Sequence, residues 1–193
     1  MKHLSPVVAF VLMLLAGLAG GLFMTKTLLA LQKHIGAQKY GVWVTWSANN
    51  GNDFDPYSRA YFARHGVTPI TPLEGIALFA SEDREGRVLN SRCTYEIAGS
   101  FPVARAWTLF IYEPSGAVIT NESLRSGFTS SEVIQEGGGT RITISPEPQP
   151  GNWLPMKDDK TFVLVFRFYD SPLSTVGSVL DLERLPTLVR TGC

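Results

Sequence analysis

The chain has 193 residues, of which 45% are hydrophobic and 18% charged, which excludes an intrinsically disordered protein and allows one domain with a real core. Its 17 basic and 17 acidic residues cancel, which argues against a nucleic-acid-binding surface. The 18 Gly and 12 Pro follow no fixed period, which excludes a collagen-like repeat.

The charge is unevenly placed. No acid precedes Asp53, and the first 39 residues carry Lys2, Lys26, Lys33 and Lys39. A cationic apolar leader is thus followed by a mildly acidic remainder. Pro6 to Phe23 is a run of 18 residues without charge. As a helix rising ~1.5 Å per residue it spans roughly 27 Å, near the hydrocarbon thickness of a bilayer. Leu28, Leu29 and Leu31 extend the apolar character past Lys26, which can snorkel to the headgroups, so the helix is expected to run to about Lys33. We expect residues 1–39 to form an uncleaved membrane anchor with a juxtamembrane helix, inserted through residues 6–31. A cleavable signal with a small-residue site near Ala19-Gly20-Gly21 is the first competing reading, and a buried core helix the second. Gly17 and Gly21 have the spacing through which two membrane helices approach closely. That spacing allows a homodimer, with a monomeric anchor as the alternative.

Residues 40–193 read as a β domain with one short helix. Tyr40 to Trp46 is β-rich. Asp55-Pro56 has the form of an N-cap followed by proline at the first helical position, and the helix Pro56 to His65 should stop at Gly66. Hairpins are then expected in succession. Gly75 to Ala80 meets Arg87 to Asn90 across the turn 83–86. Trp107 to Tyr112 meets Ala117 to Thr120 across Glu113-Pro114-Ser115-Gly116. Glu132 to Gln135 meets Thr140 to Ser145 across Gly137-Gly138-Gly139. Cys93 to Ile97 is a further strand. Thr161 to Tyr169 is the strongest, apolar on both alternating faces except for Arg167, and so is expected to be a central strand covered on two sides. Asn152-Trp153-Leu154-Pro155 is expected to be a corner before it, with Asn152 in an Asx turn. Two antiparallel sheets in a sandwich follow from this spacing. Cys93 and Cys193 fit one disulfide closing a loop of about 100 residues, or two unpaired thiols; spacing alone does not decide.

Several of these segments also carry a resemblance. Gly41-Val42-Trp43, Asp55 to Ala60, Glu82 to Leu89, Ala106 to Tyr112, Asn121 with Arg125, Asn152 to Pro155 and Arg167-Phe168-Tyr169 occur in one order. In these pieces the stretch from Gly41 to Asp170 resembles the bacterial domain-of-unknown-function family twelve-fourteen, in its short single-anchor version. The resemblance implies a β-sandwich of jelly-roll type in the bacterial envelope. It assigns no activity. Longer relatives tend to carry two consecutive Trp where this chain has Trp107-Thr108. We expect the anchor to lie in the inner membrane as a single pass, with the domain in the periplasm. The lysines beyond the span pull the other way under the positive-inside rule, but a long polar domain translocates largely regardless of charge.

Candidate chemistry is sparse. His3 and His34 belong to the leader, which leaves His65 as the domain's histidine. No metal site, cofactor or serine triad is expected on that basis. His65 precedes the helix-stopping Gly66, where an imidazole commonly bonds helix carbonyls. The carboxylate pairs Asp53/Asp55 and Glu82/Asp83 are the candidates for a hydrolase, although turn and capping roles are commoner for such residues. The most informative set is aromatic and cationic. Arg59, Tyr57, Trp107, Arg125, Arg167 and Asn152 are the candidate ligand-binding residues. Arg167 is the core of the idea, since a guanidinium between apolar neighbours needs a carboxylate, a carbonyl or a ligand. One reading pairs it internally, with Asp55 or another acid. The other is a pocket for an anionic or sugar-like small molecule, with Tyr57 and Trp107 as stacking surface. A non-catalytic binding or interaction module is the expected function. A carboxylate hydrolase and a structural partner of another membrane protein are the alternatives.

Overall fold

In the computed structural model, residues 5–31, 36–46, 54–71, 73–121, 123–136, 139–156, 160–174 and 185–193 are described. They fall into two compact units, Met1–Ile35 and Gly36–Cys193.

The first unit is the helix α1, Pro6–Leu31. Ser5 begins it: the Ala9 amide donates to Ser5 O at 3.0 Å, and Pro6 follows at the first helical position, where its missing N–H costs nothing. Its stretch Pro6–Thr27 is apolar and long enough to cross a bilayer, with mean hydropathy 2.5. That suits a membrane anchor and a signal sequence alike. Its large apolar side chains are exposed all round, from Val8 at 47% to Phe23 at 74%, so the core-helix reading is not supported.

The second unit holds two sheets. The first contains β1 (Ala37–Tyr40), β2 (Trp43–Trp46), β3 (Gly75–Ala80), β5 (Ala106–Tyr112), β6 (Gly127–Thr129) and β10 (Val163–Tyr169). The second contains β4 (Thr94–Gly99), β7 (Gln135–Glu136), β8 (Gly139–Ser145), β9 (Asn152–Pro155) and β11 (Thr187–Gly192). The orders are β1-β2-β3-β10-β5-β6 and β11-β4-β8-β7, with β9 parallel to β8 and the other pairs antiparallel. This is the expected two-sheet sandwich. The jelly-roll connection is a finer statement than this strand order supports.

β10 sits at the centre of the first sheet, opposite β3 and β5 in register. Its even residues Leu164, Phe166 and Phe168 are fully buried between the sheets, with Leu78, Leu109, Ile142 and Ile144. Its odd residues Val163 and Val165 face the other way, into a second cluster with Trp46, Phe62 and Phe79. The helix α2, Pro56–His65, contributes Phe62 and Tyr61 to that cluster and so covers the outer face. The two apolar faces read from the sequence therefore have different covers, a sheet on one side and a helix on the other.

α2 has the expected limits for local reasons. Asp55 Oδ1 accepts from the amides of Tyr57 at 2.9 Å and Ser58 at 3.1 Å, and the Ser58 hydroxyl bonds Oδ2. Together these hold the Asp55 carboxyl below its usual range. Gly66 ends the helix with φ 59°, and its amide returns to Phe62 O.

Four expectations need correction. Residues 37–39, placed in the leader, pair with 44–46, and the second unit starts at Gly36. The β-rich stretch from Tyr40 to Trp46 holds the end of β1, a two-residue turn that Gly41 allows with φ 62°, and β2. Arg87 to Asn90 and Ala117 to Thr120 make isolated bridges and no strands, such as Glu82 with Val88 and Tyr112 with Val118; a few main-chain bonds tie each return, such as Leu89 N to Ser81 O and Ile119 N to Ile111 O. Asn152 to Pro155 is the strand β9, and Asn152 makes no Asx turn: its Oδ1 accepts from Ile134 N at 2.7 Å, and its Nδ2 donates to Ile134 O and Arg141 O at 2.8 Å. The turn residues Gly137 and Gly138, the continuation of the leader helix to Lys33, and Asp53 lie outside the described residues.

Candidate functional site

The outer face of β3, β10 and β5 and the C-terminal half of α2 enclose a cleft. It offers about 390 Å³ of open space, the solvent at its mouth included. Phe79 from β3, Val163 and Val165 from β10, and Val67 after α2 make it apolar. Pro114 and Gly116, in the turn after β5, lie opposite the end of α2. Gly116 has φ 90° and its Cα faces His65 O so closely that a Cβ would collide with that carbonyl. The turn and the helix end therefore touch backbone to backbone, and this closes one side of the cleft.

Arg167, Tyr112, Tyr61 and His65 are polar members of this lining. Arg167 Nη1 donates to Tyr112 Oη at 3.3 Å, and the guanidinium lies 5.8 Å from the Tyr112 ring centroid. No carboxylate pairs with Arg167 among the described residues. Asp55, its suggested internal partner, is spent on the start of α2. Tyr61 is the middle ring of a stack, 4.6 Å from Trp46 and 4.2 Å from His65. Burial pushes its phenol pKa up, and its hydroxyl has no hydrogen-bond partner among the described residues. His65 Nδ1 donates to Tyr61 O at 2.9 Å, the helix-carbonyl bond expected of it. Glu113 also borders the cleft, but Lys160 Nζ lies 3.2 Å from its Oε1 and Ser115 Oγ donates to its Oε2 at 3.3 Å.

The six candidate residues do not converge. Arg167 lines the cleft. Trp107 sits across from Phe168 in the register, so it points between the sheets, where it meets Phe101 and Phe166 edge-on at 5.0 and 5.3 Å. Tyr57 is on the exposed side of α2, at 56% exposure, and Arg59 is exposed on the same helix. Arg125 lies over the Phe128 ring at 5.1 Å, beside β6. Asn152 is buried in the second sheet, where its amide group is fully engaged by main chain. Tyr112, Tyr61 and His65 take the places expected of Tyr57 and Trp107. Tyr61 and His65 are one helical turn apart, a spacing visible in the sequence, but the meeting of Tyr112 with Arg167 depends on strand register.

A second polar cluster is structural. Asp83 has a fully enclosed side chain. Its Oδ1 accepts from the amides of Glu85 at 3.0 Å and Arg87 at 2.9 Å, and its Oδ2 faces Arg87 Nε at 2.9 Å and Arg190 Nε at 2.8 Å. Burial pushes this carboxyl up, but the Arg87 amide and the two guanidinium groups outweigh it and hold the carboxyl below its usual range. A carboxylate so committed is no general base, and Glu82 faces Lys39 at 4.0 Å, so Glu82 and Asp83 are not placed as a hydrolytic pair. Cys93 and Cys193 are bonded to each other beside this cluster and tie β11 to the start of β4. On α1, Gly17 and Gly21 are open to their surroundings.

Fold and site together define a two-sheet β-sandwich whose outer face carries a helix-covered, arginine-bearing cleft. The chain belongs to the family described as protein of unknown function (DUF1214), whose pattern matches residues 74–173. That stretch holds the strand side of the cleft; α2, which covers it, precedes the stretch. Among solved structures, the VPA0106 protein of Vibrio parahaemolyticus is similar, with 20% identity and a TM-score of 0.52 over 69% of this chain and 34% of that one. An uncharacterized protein from Burkholderia cenocepacia is 17% identical with a TM-score of 0.47, over 84% of this chain and 38% of that one. This chain thus spans about a third of the length of the structures it matches. The Vibrio likeness supports the fold alone. No curated protein matches the chain.

Proposed function

We propose that this protein is a single-pass module of the bacterial envelope that holds a small anionic molecule in the α2–β10 cleft without reacting it. The observation that carries the reading is Arg167, a half-buried guanidinium on an apolar strand whose recorded partner is a neutral phenol, Tyr112. A desolvated cation without a counter-charge is costly, and an anion from solution relieves that cost. The apolar lining favours an anion over a sugar, which would need several polar partners. The Cys93–Cys193 bond supports a periplasmic domain, since disulfides persist in oxidising compartments. The apolar helix α1 supports anchoring in the inner membrane.

Calorimetric titration of the detergent-solubilised full chain with benzoate, succinate and inorganic phosphate tests the binding claim. At least one anion should bind saturably and be lost in Arg167→Met. Failure of all three to bind the parent protein overturns it. Alkaline phosphatase and fluorescent-protein fusions after Cys193 test compartment, and an inactive phosphatase with a fluorescent partner fusion overturns the periplasmic placement.

A further inference from the structure

The cleft is selective in its chemistry beyond the sign of the charge, and the following inference rests on the anion-binding reading above. We propose that its ligand is an amphipathic monocarboxylate, a single carboxylate on a flat apolar body.

Three observations set that class. The first is charge. Arg167 is the permanently cationic side chain in the lining, and Glu113 stands at the same rim. Glu113 is already paired with Lys160, so one guanidinium is left to meet one negative charge, with no second permanent cation among the described lining residues for another. The helix end at the cleft is the C-terminus of α2, with His65 O directed at Gly116. A helix C-terminus carries partial negative charge, the opposite of the amide-rich N-terminus that receives phosphate. Dianionic phosphate and dicarboxylates are therefore disfavoured on two counts.

The second is geometry. A guanidinium fork matches the two oxygens of a carboxylate in one plane. Tyr112 Oη already lies 3.3 Å from Arg167 Nη1. Its proton remains available, because it accepts in that bond. Tyr61 contributes a second hydroxyl to the same lining, without a partner among the described residues.

The third is the remaining surface. Phe79, Val163 and Val165 line the cleft beside the Tyr61 ring. Tyr61 is stacked between Trp46 and His65 and so is held in place by its neighbours. Trp46 and His65 cover the two faces of the Tyr61 ring, so its edge and the aliphatic side chains of Val163 and Val165 are what an apolar body meets, and that body gains by leaving water.

The test compares four probes on the full chain by calorimetry: benzoate, its neutral isostere benzamide, acetate, and inorganic phosphate. Benzoate should bind at least about tenfold more tightly than benzamide, the worth of a charge-assisted hydrogen bond. It should exceed acetate by a similar factor through burial of its ring, and phosphate should be the weakest anion. Arg167→Met should abolish the preference of benzoate over benzamide, while Val165→Ser should narrow the preference of benzoate over acetate. Phosphate or acetate binding as tightly as benzoate through Arg167 would overturn the monocarboxylate class and leave the anion reading standing. Benzamide binding as tightly as benzoate, or no anion binding at all, would overturn both.

Discussion

Arg190 Nε stands 2.8 Å from Asp83 Oδ2, joining the last strand of the second sheet to the turn after β3. The same carboxylate oxygen receives Arg87 Nε at 2.9 Å. Asp83 is enclosed and Arg190 nearly so, at 0% and 13% side-chain exposure, so removing the acid leaves an uncompensated buried cation. Asp83→Asn should cost ~3–5 kcal/mol in chemical denaturation. The pH dependence has a definite sign. The folded-state pKa of Asp83 lies below its ordinary value of 3.8. Its contribution is therefore complete above that ordinary value and disappears as pH falls through the lower folded one. The acid limb of the stability curve should flatten in Asp83→Asn. An unchanged acid limb would mean that other carboxylates set it.

The disulfide holds the same strand by a second route. Cys93 and Cys193 are 100 residues apart, and chain-entropy reasoning gives such a loop up to ~4.7 kcal/mol. Reduction, or Cys193→Ser, should lower the melting temperature by several degrees. Since both devices anchor β11, the double variant with Asp83→Asn should cost less than the two single losses combined. Additive losses would show that the two anchors act independently.

Asn152 illustrates a polar residue whose place in the fold differs from its place in the sequence argument. Its side chain satisfies Ile134 N, Ile134 O and Arg141 O, all within 2.8 Å. Asn152→Ala leaves these main-chain groups without their partner, at about 1–3 kcal/mol for an orphaned buried group. A fall in stability of at least that size is expected, with benzoate affinity unchanged. Altered affinity with intact stability would return Asn152 to the site.

Local signals were legible and long-range ones were not. The limits of α2 follow from Asp55, Pro56 and Gly66, all within one turn of the helix ends, and the central position of β10 follows from its two apolar faces. Arg167 stood out as the charge among those faces. What surrounds it did not, because register decides it. Trp107 lies opposite Phe168, and one step of alternation sends its ring to the other side of the sheet from Arg167. Tyr112, four residues along β5 from Thr108, meets the guanidinium only because β10 runs antiparallel beside it. The break of Tyr40 to Trp46 at Gly41 was hidden by continuous β-formers on both sides.

Arg167→Met separates the two readings weighed for this residue. With an acid partner its loss would strand a buried carboxylate. In the structure it gives up one hydrogen bond and a cation–π contact to Tyr112, each worth about 1 kcal/mol or less, against relief of its own desolvation. The ligand-free melting temperature should shift by no more than a few degrees. A loss of ~3–5 kcal/mol would reveal an internal acid partner and remove the reason for a ligand.

The side-chain Nε–Hε resonance of Arg167 reports most directly on whether an anion seats in the cleft. It can be assigned in the full-length protein by its absence in Arg167→Met. On titration with benzoate this resonance should move and saturate at the affinity measured by calorimetry, with the Tyr61 and Tyr112 ring signals following it. A resonance that stays fixed while benzoate shifts signals elsewhere would contradict an Arg167-centred site.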